Sequence, residues 1–163
     1  MASSSVTALS ELTAVPFAPA KVVRTIAQAP RLGAALVWAA AREQEILGEH
    51  LVSLGRRSAR ERVAHLFLEL WARLKVRGLA SGDQLHVPLT QQIIADALGL
   101  SVVHVNRTLR QLGAEGLLAV KRESVTLLNL DQLQQVSGFD ADYLMHHAMP
   151  SDLDVELTRL EFP

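Results

Sequence analysis

Residues 89–116 read LTQQIIADALGLSVVHVNRTLRQLGAEG, and this stretch decides the fold. Thr90 is a helix N-cap, because its hydroxyl accepts from a backbone N–H that the helix leaves unpaired. Ile93, Ile94, Ala97 and Leu98 follow as one apolar face. Gly99 supplies the left-handed conformation that a sharp helix end requires. Ser101 caps a second helix, in which Val105, Leu109 and Leu112 recur at helical spacing, and Gly116 ends it. Two capped helices joined by so short a turn form the pattern of a helix-turn-helix.

Composition leaves room for such a module and its surroundings. The chain has 163 residues, 49% of them hydrophobic, enough for one ordinary domain with a core and an extension. Its net charge of -1 does not by itself suggest a polyanionic partner, but the charges are unevenly placed. Between Gly55 and Gly78 lie Arg56, Arg57, Arg60, Arg62, Arg73, Lys75 and Arg77 against Glu61 and Glu69. From Phe139 to Pro163 there are six acids (Asp140, Asp142, Asp152, Asp154, Glu156, Glu161) against Arg159. The remainder carries 15 basic and 11 acidic residues, so an acidic tail masks a mildly basic body.

With no cysteine, the chain has no disulfide, thiolate zinc site or cysteine-held iron–sulfur cluster of its own. No apolar run nears the roughly 20 residues that span a bilayer, and no membrane partner is expected. The opening MASSSVTALSEL lacks the basic and apolar regions of a signal peptide. A cytoplasmic location follows as the expectation.

Outward from the decisive stretch, the pattern predicts further elements. Val6–Leu9 and Leu12–Val15 read as strand fragments, and Ala20–Ala29 as a helix. Pro30 opens a long helix over Arg31–Gly55, where its missing N–H costs nothing. In that helix Gly33, Val37, Ala40, Gln44, Leu47, Leu51 and Leu54 follow alternating spacings of four and three, a heptad seam for pairing with another helix. Burial within its own domain is the alternative; a dimer helix is favoured because nothing else in the chain covers so much apolar face. Arg56–Lys75 reads as a helix with Val63, Leu66, Phe67, Leu70, Trp71 and Leu74 inward and arginines outward. A short strand at Gln84–Val87 precedes the decisive stretch. Two strands, Leu117–Lys121 and Ser124–Leu128, follow as a basic hairpin, and Asp131–Val136 as a closing helix. The fold class is therefore mainly α with a small β-wing: a long dimerisation helix followed by a winged helix-turn-helix domain.

Elements in this order resemble the C-terminal part of the Crp/Fnr superfamily of bacterial transcription regulators, from Pro30 to about Tyr143. LTQQIIADALGLSVVHVNRTLRQLGAEGLL carries most of the resemblance. It implies residues 1–29 as a remnant of the sensor domain, 30–55 as the dimerisation helix, 56–138 as the winged helix-turn-helix domain and 139–163 as an acidic tail. The family's sensor β-roll has no space here, and its Gly-Glu-x-x-Arg-Ala-Ala-type phosphate cassette is missing. No cyclic nucleotide and no other cofactor is therefore expected in this chain, which reads either as a fragment or as a naturally short gene. A homodimer on double-stranded DNA is implied, with RNA polymerase as the partner through which activation would proceed.

The resemblance also supplies the reading residues. Family members follow the recognition-helix serine with Arg-Glu-x-x-x-Arg, the glutamate accepting from cytosine N4 and the arginines donating to guanine. Here Val102 and Val103 replace the first two, and Arg107 is kept. Valine packs on a thymine methyl but accepts no hydrogen bond. Val102, Val103, Asn106 and Arg107 are the candidate base readers, Asn106 either pairing with adenine or holding a phosphate. For the DNA backbone the candidates are Thr90, Gln92, Ser101, His104, Arg110, Lys121 and Arg122. A solvent histidine is the competing reading for His104, and a solvated charged face for the cations. Arg56, Arg57, Arg60 and Arg62 read as a solvated hinge, with intersubunit ion pairs or a flank for bent DNA as alternatives.

His146-His147 have the wrong spacing for metal ligands on one helix face. No nucleophile–base motif, P-loop or dinucleotide fingerprint is present, so no catalytic or metal-binding residue is assigned and no enzyme is expected. Two functions compete: a homodimeric reader of a pseudo-palindromic site, and a sensor-less module that pairs with a full-length relative and modulates it.

Overall fold

The computed structural model describes residues 6–121, 124–145 and 155. Residues 6–18 contain no strand, which corrects the two fragments expected there. No neighbouring strand pairs with their N–H and C=O groups, and β-propensity without a partner makes no ladder. Helix α1, Pro19–Gln28, starts at its proline, and α2, Pro30–Arg56, does the same. The two pack closely at Gly33, where a methyl group would lie 2.8 Å from Ile26 Cγ2.

Two compact units divide the chain inside α2: Thr13–Glu49 belongs to one and His50–Ala141 to the other. Along α2 the heptad seam is open. Val37, Leu47, Leu51 and Leu54 are 71%, 59%, 70% and 44% exposed, and Ala40 and Gln44 are exposed beside them. Only Gly33 of that seam is buried.

The unit after Glu49 is built around α3, Ala59–Val76. This helix begins three residues later than the composition suggests, because Ser58 and Glu61 form a reciprocal cap that forces the chain out of α2. Its buried face also differs from the expected stripe. Val63 and Phe67 are inward as expected, but Ala64, His65, Leu68, Glu69 and Ala72 join them, while Leu66, Leu70, Trp71 and Leu74 are only half-buried. A helix with neighbours on several sides has no single apolar stripe. Here α3 meets α4 (Gln91–Leu98), α5 (Val102–Ala114), α6 (Leu130–Ser137) and strand β1 (Gln84–His86).

Strands β2, Leu118–Lys121, and β3, Ser124–Leu127, pair antiparallel, and β1 adds to the far edge of β3 in the order β1-β3-β2. Register sets Leu85 opposite Val125 and Leu118 opposite Leu127, all four buried. Phe67, Leu68, Leu85, Leu112, Leu117, Leu127 and Leu133 complete one continuous core under the sheet and helices. A short helix α7, Asp142–Met145, follows α6.

The arginines expected to form a solvated hinge are mostly engaged within their own unit. Arg57 Nε donates to the Ser137 carbonyl at 3.0 Å, Arg60 pairs with Glu115, and Arg62 donates to the Arg57 and Leu98 carbonyls. Unpaired carbonyls at helix ends attract guanidinium groups, and three ends converge here. Arg56 stays exposed. Among the described residues no helix is long and apolar enough to cross a membrane.

Candidate nucleic-acid interface

Local capping chemistry shapes both helices of the motif. Thr90 Oγ1 accepts from the Ile93 N–H at 3.2 Å and starts α4. Gly99 ends it at φ 61°, and its N–H returns to the Ala95 carbonyl. Ser101 Oγ then accepts from the His104 N–H at 3.2 Å and starts α5. Both capping hydroxyls are exposed, so each keeps an O–H to donate outward beside the positive end of a helix.

The inner face of α4 is Ile94, Ala95 and Leu98. Ile93 is half-buried and Ala97 is exposed, a correction to the expected face. In a helix this short the side turned to α3 and α5 is set by what packs there. Val105, Leu109 and Leu112 are buried in α5 as the spacing required, and Thr108 is buried with them.

With that inner face occupied, the outer face of α5 is defined. Val103 is 80% exposed, and Arg107 and Arg110 are exposed four and seven residues on, so the three share one side of the helix. Val102 is 37% exposed at the helix start. His104 and Asn106 are half-buried. Asn106 Nδ2 donates to Gln91 Oε1 at 3.1 Å, which joins α5 to the first residue of α4. Gln92 is exposed and donates to Asp96 at 2.8 Å within α4.

A groove of about 480 Å³ separates α5 from β2, lined by Gln91, Asn106, Arg110 and Lys121 around the apolar Leu109 and Leu118. Gly113 is also part of its lining, and a methyl there would stand 3.5 Å from the Leu118 carbonyl oxygen, an ordinary contact. Arg107, Arg110 and Lys121 pair with no described residue. Arg110 and Lys121 at the groove and Arg107 on the outer face of α5, without an acidic partner among the described residues, favour an anionic partner. Arg122, and likewise His146 and His147, lie outside the described residues.

At its other end α5 is tethered. Glu115, at the helix C-terminus, is unfavourably placed toward the negative end of the helix dipole. Arg60 of α3 and Gln111 compensate, and the Arg60 hydrogen bond, followed by that of Gln111, holds the Glu115 carboxyl below its ordinary range. Neither Gln91 nor Glu115 stood out in the sequence. The bonds Asn106–Gln91 and Arg60–Glu115 span 15 and 55 residues, beyond any local periodicity.

Comparison with known proteins agrees with this geometry. The family model for the Crp-like helix-turn-helix domain matches residues 61–136. The nitrogen fixation regulation protein FixK of Bradyrhizobium diazoefficiens is 35% identical over 131 residues, 80% of this chain and 55% of that protein. The transcriptional activator protein FnrL of Cereibacter sphaeroides is 28% identical over 141 residues, 84% of this chain and 57% of its own. Among solved structures, FixK2 from Bradyrhizobium japonicum superposes with a TM-score of 0.65 at 28% identity, covering 75% of this chain and 60% of that one. The chain thus spans about half the length of the curated relatives it matches.

Proposed function

The chain belongs to the Crp/Fnr family of transcription regulators, and from that premise we propose that it binds specific DNA sites as a homodimer, with α5 in the major groove. One observation carries the reading: Val103, Arg107 and Arg110 stand free on the outer face of α5 while Val105, Leu109 and Leu112 fill its inner face. Arg107 is the guanine reader, donating to O6 and N7. Val102 and Val103 meet thymine methyl groups in place of the family's arginine and glutamate. Thr90, Gln92, Ser101, His104, Arg110, Lys121 and Arg122 hold the backbone, which makes affinity fall with salt. On this reading the protein acts on DNA in the cytoplasm, without a membrane partner.

The exposed seam on α2 supports the dimer. Leu47 and Leu51 are apolar, adjacent along one face and more than half exposed, which a second α2 would cover. Two-fold symmetry then sets half-sites about one helical turn (~34–36 Å) apart, as for helix-turn-helix dimers generally. The same open seam supports the second reading, pairing with a full-length relative.

Selection of binding sites from a random duplex pool tests the proposal. The wild type is expected to enrich a two-fold symmetric site, and Arg107→Ala to lose about 1–3 kcal/mol of discrimination at one guanine per half-site. Unchanged affinity and preference in Arg107→Ala would sink direct reading by α5. Sedimentation completes the test: a monomer that captures a full-length relative would favour the second reading.

A further inference from the structure

The hydrogen bond from Asn106 Nδ2 to Gln91 Oε1 is, among the described residues, the one side-chain hydrogen bond between α4 and α5. Elsewhere the buried faces of these two packed helices are mainly aliphatic, with Ile94 and Leu98 on α4 and Val105 and Leu109 on α5. Such contacts fix the separation of two helices but leave a terminal amide free to rotate. The Gln91 bond removes that freedom. It lies at the groove beside α5, where both residues are half-buried and Arg110 and Lys121 are also part of the lining.

We propose that Gln91 is a positioning residue for base reading, holding the Asn106 amide ready to pair with adenine. This rests on the major-groove reading of α5 given above. An asparagine amide has two donor hydrogens and one acceptor oxygen. One hydrogen goes to Gln91, and one hydrogen plus Oδ1 remain. Adenine presents an N7 acceptor and an N6 donor in the major groove, which that remaining pair matches. An amide already oriented loses less rotational freedom on pairing, so the preference for adenine strengthens without a new contact to DNA. Gln91 keeps both Nε2 hydrogens, which suit a phosphate oxygen. The positioning role is therefore separable from a backbone contact.

The experiment uses the full chain and its own selected site, with each base at the Asn106 position varied in single duplexes. Asn106→Ala is expected to lower adenine preference about tenfold at one position per half-site. Gln91→Ala should lower it at that same position, and the double variant should lose no more than Asn106→Ala alone, since both remove one unit. Gln91→Glu keeps an acceptor for Asn106 but repels phosphate. It should retain adenine preference while binding all sequences more weakly. Thermal melts of each variant check folding, and Gln91→Glu keeps the test readable should Gln91→Ala unfold.

A Gln91→Ala protein that binds every sequence less tightly with undiminished adenine preference overturns the positioning role, leaving Gln91 a phosphate contact. An Asn106→Ala protein with undiminished preference overturns it as well. Arg107→Ala separates these results from failure of the underlying reading. If the wild type discriminates and Arg107→Ala does not, α5 reads DNA and only the Gln91 proposal is at stake. If the wild type selects no site, both fall together.

Discussion

Arg62 Nη1 donates to the Leu98 carbonyl at 3.1 Å, so the first turn of α3 caps the last residue of α4. The same guanidinium donates through Nε to the Arg57 carbonyl at 2.9 Å. Two carbonyls that helix geometry leaves without partners are thereby satisfied by one side chain. Gly99, the turn that aims α5, follows Leu98 directly. Arg62→Met keeps much of the aliphatic stem and removes both bonds. The expected loss is about 1.5–3 kcal/mol of stability, the range for hydrogen bonds to charged groups. Urea unfolding checks it, and an unmoved midpoint would show that solvent serves those carbonyls equally well.

Val103 invites a change of specificity rather than stability. At 80% exposure it contributes little to folding, so Val103→Glu should leave the melting curve within about 0.5 kcal/mol of wild type. A carboxylate at that position accepts from cytosine N4, and a valine does not. Site selection with Val103→Glu should therefore move one position per half-site toward cytosine. An unaltered consensus would mean that Val103 does not face base edges.

The cap of α3 predicts an acid limb in stability. The Ser58 N–H donates to Glu61 Oε2 at 2.6 Å, and the Glu61 N–H returns to Ser58 Oγ. The Ser58 backbone hydrogen bond, then its side chain and the nearby Arg57 and Arg60, hold the Glu61 carboxyl below its ordinary value of 4.5. A depressed folded value gives a contribution that is complete above the ordinary value and disappears as pH falls through the folded one. Glu115 is depressed in the same direction by Arg60. Denaturant midpoints should thus hold near neutrality and decline below about pH 4.5. Ser58→Ala should cost about 1 kcal/mol at pH 7, while Glu61→Gln, which keeps an acceptor for the Ser58 N–H but does not titrate, should flatten that decline. An equally steep acid limb in Glu61→Gln would assign it to other carboxylates.

Gly99 carries the turn at φ +61°. An added methyl would stand 3.7 Å from Leu54 Cδ2, an ordinary contact, so the penalty for Gly99→Ala is backbone strain alone. About 1–2 kcal/mol of stability should be lost. Gly99→Asn should recover part of it, since asparagine visits the left-handed region more readily. Equal stability of all three proteins would show that the turn has relaxed to another conformation.

What could be read directly in the residues was chemistry that closes within a few positions. Thr90 and Ser101 each cap an N–H three residues on, and Gly99 ends α4 within its own turn. Val105, Leu109 and Leu112 report a buried face because a helix brings residues three and four apart together. The outer face of α5 follows from that inner one, and with it the exposed Arg107, whereas spacing alone leaves the side of Val103 undecided. The bounds of α1, α2 and α6 were legible for similar reasons.

The amino-acid order alone established that two short helices meet at a glycine turn, because capping and periodicity act over one or two turns of chain. Folding in three dimensions settled which faces of α3 are interior, since four neighbouring elements enclose it and no single stripe can describe that. It also selected Glu115 for Arg60, Leu98 for Arg62 and Gln91 for Asn106. Those pairs form between groups separated by loops, and their meeting depends on how apolar surfaces pack rather than on any spacing along the chain.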